Sequence, residues 1–140
     1  MNRYSDLTAI DTTVLVRIQL SPVGRANCWL RVNHDLIGYT ALSDTIILDY
    51  RVGLLDTINI CVELYNKDYG AVETAIIIDN ISVDNIDIIP KFDYLAQYNN
   101  DHNNDDPTSY LGFNGKWTLT IDRPFYQWLH QAQNQGWLIG

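Results

Sequence analysis

Four oxygen-bearing side chains fall within one short stretch of the chain: Asn66, Asp68, Glu73 and Asp79, in TINICVELYNKDYGAVETAIIIDNISV at positions 57 to 83. A calcium ion takes about six to eight hard oxygen ligands, which carboxylates, amides and loop carbonyls supply. If the stretch folds as strand, loop and strand, the four can converge from the two ends of one hairpin on Ca²⁺. An ordinary turn with a solvated acidic rim uses the same residues without a metal. A second run, Asp101-x-Asn103-x-Asp105, begins like an EF-hand loop. It carries Asp106 at the glycine position and Gly112 at the final glutamate position, so it reads as a flexible polar loop.

Aromatic residues offer a second chemistry. Trp29, Tyr39, Tyr65 and Tyr69 could stack on the apolar C–H faces of sugar rings while amides and carboxylates such as Asn66 and Asp68 bind hydroxyls. Aromatics are also common in strands for packing reasons alone. Trp117, Trp128 and Trp137 read as core or interface anchors. Catalysis has little to stand on, and the expectation is a protein that is not an enzyme. His34, His102 and His130 sit in unrelated contexts, and neither a Gly-x-Ser-x-Gly elbow nor a glycine-rich phosphate loop occurs.

The elements that must position these residues are β-strands. Thr13 to Leu20 alternates apolar and polar, as do Asn27 to Asn33, Thr45 to Tyr50 and Ile58 to Tyr65. Leu36 to Thr40 reads as a short strand, Ala75 to Val83 as a strand apolar on both faces, and Ile86 to Ile89 continues the pattern until Pro90 interrupts it. Ser21-Pro22-Val23-Gly24 has turn chemistry. Short strands with regular turn signals indicate an all-β fold, an antiparallel jelly-roll sandwich. After Pro90, Lys91 to Tyr98 could form a helical turn, and residues 99 to 107 read as a polar loop. Lys116 to Ile121 forms a strand, and a short helix starts near Pro124, carries Phe125, Trp128, Leu129 and Ala132 along one side, and ends at Gly136. Residues 1 to 90 therefore form the sandwich. Residues 91 to 140 form a carboxy-terminal extension packed on the same domain or on a partner.

Composition narrows the partners. With 140 residues, 46% of them hydrophobic, the chain suffices for one domain with a real core. A formal net charge of −8 and only nine Lys and Arg argue against nucleic acid, whose affinity comes largely from cationic side chains. The opening MNRYSDLTAI lacks a signal-peptide run, and no stretch reaches the roughly 20 apolar residues that span a bilayer, so a soluble protein made in a cytoplasm is expected. The two cysteines have opposite strand parity, Cys28 with the core residues and Cys61 against them, which favours two free thiols.

The order of segments adds a resemblance. Trp29 to Gly38 reads WLRVNHDLIG, Ile58 to Gly70 reads INICVELYNKDYG and Ile76 to Asp84 reads IIIDNISVD. Together, from Val14 to Val83, they resemble the β-sandwich carbohydrate-binding modules of the calcium-dependent, xylan-binding type. The resemblance implies a calcium site at Asn66, Asp68, Glu73 and Asp79, and a glycan site at Trp29, Tyr65, Asn66, Asp68 and Tyr69. The last segment, YLGFNGKWTLTIDRPFYQWLHQAQNQGWLIG, is similar to the ends of small virion proteins of tailed bacteriophages that carry this module. That implies a structural or accessory virion protein that assembles with other virion proteins or with copies of itself, through Phe125, Trp128, Trp137, Leu138 and Ile139. The alternative it leaves open is a calcium-assisted glycan-binding module that attaches to a host surface or polysaccharide.

Overall fold

The period-two alternation is realised as antiparallel ladders. A computed structural model of the chain describes residues 13–70, 72–103 and 108–139, with side chains described through 133. The amino-terminal segment, Asp105, Asp106 and the side chains of Trp137, Leu138 and Ile139 lie outside the described residues. In chain order the strands are β1 (Thr13–Val23), β2 (Ala26–Val32), β3 (Asp35–Leu42), β4 (Ile46–Gly53), β5 (Ile58–Tyr65), β6 (Ala75–Val83), β7 (Ile86–Ile89), β8 (Gln97–Asn100), β9 (Tyr110–Leu111) and β10 (Gly115–Ile121). Among the described residues one α-helix, α1 (Phe125–Ile139), follows.

The strands form two five-stranded sheets, a β-sandwich. The first has the order β4-β1-β6-β7, with β9 beside the other end of β6, and the second has the order β3-β2-β5-β10-β8. One apolar core lies between them. Val14, Val16, Ile18 and Leu20 of β1 meet Cys28, Leu30 and Val32 of β2 and Ile58, Ile60, Val62 and Leu64 of β5 there, all buried. The cysteines follow their parity: Cys28 is in the core, where burial pushes its thiol up to about 11, and Cys61 faces outward, both free.

The doubly apolar β6 has a local cause. Gln19 pairs with Asn80 while Leu20 pairs with Ile78, which leaves Asp79 as the extra residue of a β-bulge. The bulge reverses the alternation, so Ile76 and Ile78 point inward before it and Ile81 and Val83 after it. Asp84 and Asn85 then take positive φ angles of 52° and 65°, the geometry of a two-residue hairpin turn into β7.

Three expectations change. β1 continues through Pro22, because β4 stops pairing at Leu20 and a proline without an N–H is tolerated where only β6 remains alongside; the turn falls at Gly24, with φ 68°. The helical turn expected over Lys91 to Tyr98 shrinks to a 3₁₀ turn at Asp93–Leu95, and Gln97–Asn100 pairs with β10 as an edge strand. Helix α1 does not stop at Gly136. A glycine inside a helix costs only about 1 kcal/mol against alanine, too little by itself to end one.

The segment after Pro90 supplies β8 and β10 to the second sheet and β9 to the first, with β10 lying between β5 and β8. Phe125, Trp128, Leu129 and Ala132 of α1 are buried, and the Trp128 ring meets Phe92 edge-on at 5.8 Å. Phe125 and Trp128, expected at an assembly interface, therefore complete the core, because one apolar stripe of a helix packed on a sandwich has no other face to bury.

Candidate functional site

The outward face of the second sheet collects most of the exposed functional chemistry. Register sets it out in rows. Arg31 of β2 lies opposite Leu36 of β3 and Cys61 of β5, with Thr118 of β10 beyond Cys61. The next row runs Gly38, Trp29, Glu63, Lys116 and Asn99 across all five strands. Asn59 and Thr120 face each other further along, with Asn59 Nδ2 donating to Thr120 Oγ1 at 3.0 Å.

Trp29 is the anchor of this face. Its indole stacks on Tyr65 with ring centroids 5.9 Å apart and planes at 26°, and it is 39% exposed. On its other flank it lies against Gly38, where no side chain competes for the space. Beside it a groove of about 350 Å³ is lined by Trp29, Arg31, Leu36, Cys61, Glu63 and Lys116, together with Asn59 and Thr118. A volume at the small end of the range for ligand clefts suits a short polar ligand. Tyr39 belongs elsewhere: it pairs with Cys28 on the inward side and packs on the core.

Tyr69, 45% exposed, leads a separate cluster at the loop end of β5. Its hydroxyl donates to Asp101 Oδ1 at 2.7 Å and accepts the Asn114 N–H at 2.7 Å. Asp101 Oδ1 also meets His102 Nδ1 at 2.8 Å, and the His102 ring stacks on Phe113 at 4.1 Å. The Tyr69 hydrogen bond, followed by that of His102, holds the Asp101 carboxyl below the ordinary carboxylate range, while burial raises the Tyr69 hydroxyl. An adjoining cleft of about 570 Å³ is lined by Asn99, Asn100, Asp101, Asn103 and Asn114.

The expected calcium ligands are not brought together. Asp79, in the bulge, accepts the Ser21 hydroxyl on the outward face of the first sheet, about 13 Å along β6 from Ala75. Asp68 Oδ1 accepts the Gly70 N–H at 2.9 Å, and Asn66 turns the chain with φ 53°. Glu73 is paired with a cation already present: Lys67 Nζ donates to Glu73 Oε1 at 2.6 Å and to the Gly112 carbonyl at 2.5 Å. Only 6% of the Lys67 side chain is exposed, its ammonium lies 5.3 Å from the Tyr69 ring centroid, and Asn114 Oδ1 accepts the Lys67 N–H at 2.8 Å. Among the described residues no three acidic, histidine or cysteine side chains are grouped to hold a metal. These residues do not fit a calcium ion; Lys67 supplies the positive charge that links the loop after β5 to the loop before β10.

Of the residues singled out from sequence, Trp29 and Tyr65 come together, whereas Tyr69 joins other partners. Arg31, Glu63, Lys116 and Asn114 were missed. The parity of Arg31 with Trp29 and of Glu63 with Tyr65 was available as a signal. The neighbourhood of Lys116 was not, since it depends on β10 pairing with β5.

No family model matches the chain, and no curated protein matches it. Among solved structures, the chain is similar to the selenomethionine form of vCBM60, reported with a circular permutation that links two families of calcium-dependent carbohydrate binding modules. The TM-score is 0.51 at 17% identity, over 79% of this chain and 91% of that one. A second similar structure is vCBM60 in complex with galactobiose, with TM-score 0.49, 16% identity, and coverage of 77% and 97%. The first likeness establishes the fold as that of a carbohydrate-binding-module β-sandwich.

Proposed function

We propose that this protein is a non-catalytic glycan-binding module that holds its ligand on the outward face of the second sheet. The observation that carries the reading is Trp29: a large aromatic braced by Tyr65 and Gly38, left exposed at the edge of a polar groove. Burying such a ring against a sugar face gains apolar area without reordering the protein, and Glu63, Asn59 and Thr118 supply donors and acceptors for hydroxyls. The fold shared with vCBM60, a carbohydrate binding module, supports the same reading. Asp68, Glu73 and Asp79 are engaged with other partners and, like Asn66, lie outside this groove, so the reading assigns the glycan contacts to the face itself. Phe125 and Trp128, two of the residues expected at an assembly interface, are inside the core and do not supply a second binding surface.

A glycan array tests the reading directly. Hits should appear without added calcium and should weaken at least about 30-fold in Trp29→Ala, the equivalent of about 2 kcal/mol by the measure of interface tryptophans. A blank array, or hits indifferent to Trp29→Ala, removes this face as the site.

A further inference from the structure

The charges around the groove differ from those of the rest of the chain. The protein carries a formal −8, yet the groove is lined by two cations, Arg31 and Lys116, and one anion, Glu63. Arg31 and Lys116 are both exposed, and neither has a hydrogen-bond or ion-pair partner among the described residues. Lys116 lies directly opposite Glu63 in the register without forming an ion pair with it. The first sheet shows the contrast: there Arg17 grips Asp49 through Nε at 2.8 Å and Nη2 at 3.0 Å, so its fork is already filled. On the second sheet the guanidinium fork is left open beside the aromatic anchor.

We propose that this face prefers glycans that carry an acidic sugar, a uronate, whose carboxylate is taken by the Arg31 guanidinium while Lys116 attracts the charge from across the groove. The inference rests on the glycan-binding reading of the same face. Arg31 and Lys116 lie two strand spacings apart and one row out of line, about 12 Å between their Cα atoms. One short chain can therefore stack a ring on Trp29 and meet both cations. A planar guanidinium matches a carboxylate bidentately, which a neutral hydroxyl cannot reproduce. Glu63, between the two cations, accepts hydroxyl protons and disfavours a second carboxylate at the centre of the groove. The acidic sugar thus sits to the Arg31 side, with neutral sugars over Glu63.

Titration of the full chain with a mixed uronan oligosaccharide, one terminal uronate on a run of neutral sugars, and with its carboxyl-reduced counterpart decides this. The uronan should bind about tenfold more tightly at low salt, and the preference should shrink as salt screens the exposed charges. Arg31→Gln should abolish most of that preference and Lys116→Gln part of it, with cooperative melting retained in both. Equal affinity for the two ligands overturns the acidic preference and leaves glycan binding intact. A sulfated oligosaccharide that binds more tightly than the uronan overturns the carboxylate assignment in favour of sulfate. Binding of neither ligand class by the native protein sinks the glycan-binding reading itself.

Discussion

Trp29 lies so close across Gly38 that a Cβ on Gly38 would stand 2.5 Å from Trp29 Cζ3. The cross-strand pair Trp29 and Gly38 is thus a ring and the gap that accommodates it. Gly38→Val should fold, because a β-branched residue suits an exposed strand position, but the indole must swing away from its place against Tyr65. Glycan affinity should fall about as far as in Trp29→Ala while the thermal midpoint is held or raised. Unchanged affinity in Gly38→Val would mean that the indole position does not matter for binding.

Lys67 provides a test of the metal question. Thermal melts in millimolar calcium and in chelator should coincide, whereas an ion bound at one hundred times its dissociation constant would add about 2.7 kcal/mol. Lys67→Met should destabilise by about 1 to 3 kcal/mol in both conditions, since the Gly112 carbonyl loses its donor. A calcium-dependent rise in the midpoint of the native protein would show that the loops hold an ion after all.

Acid should loosen the Tyr69 cluster. The folded Asp101 carboxyl titrates below its ordinary value of 3.8 because Tyr69 and then His102 bond its charged form. A depressed folded pKa gives a contribution that is present above the unfolded value and is lost as pH falls through the folded one. The Tyr69 ring resonances should therefore show a step below about pH 4. In Asp101→Asn the acid step should vanish; its persistence would assign it to another carboxylate.

The helix separates packing from assembly. Phe125→Ala should cost about 3 to 5 kcal/mol in denaturant unfolding, as expected for a fully buried ring, whereas Gln127→Ala on the exposed side should stay within about 0.5 kcal/mol. Native stability in Phe125→Ala together with a lost oligomer would return the helix to the assembly role its aromatic pattern suggested.

Alternation, being local, was legible from the chain itself: side chains in a strand point to opposite faces whatever the strand pairs with, so the β fold, the core faces of β1, β2 and β5 and the opposed cysteines could be read directly. The same parity placed Trp29 and Tyr65 outward. Which strands become neighbours is a non-local matter of ladder pairing, and that alone set Lys116 beside Glu63 and Gly115 opposite both Leu64 and Asn100. Pairing of β6 with β1 put the candidate ligand Asp79 on the outward face of the first sheet, away from the loop, and a contact across the β5–β6 loop gave Glu73 to Lys67. Helix α1 shows the same division. Its apolar spacing was written in the sequence, but whether that stripe met a partner or its own sandwich depended on the surface the two sheets left uncovered, which exists only once both sheets have closed.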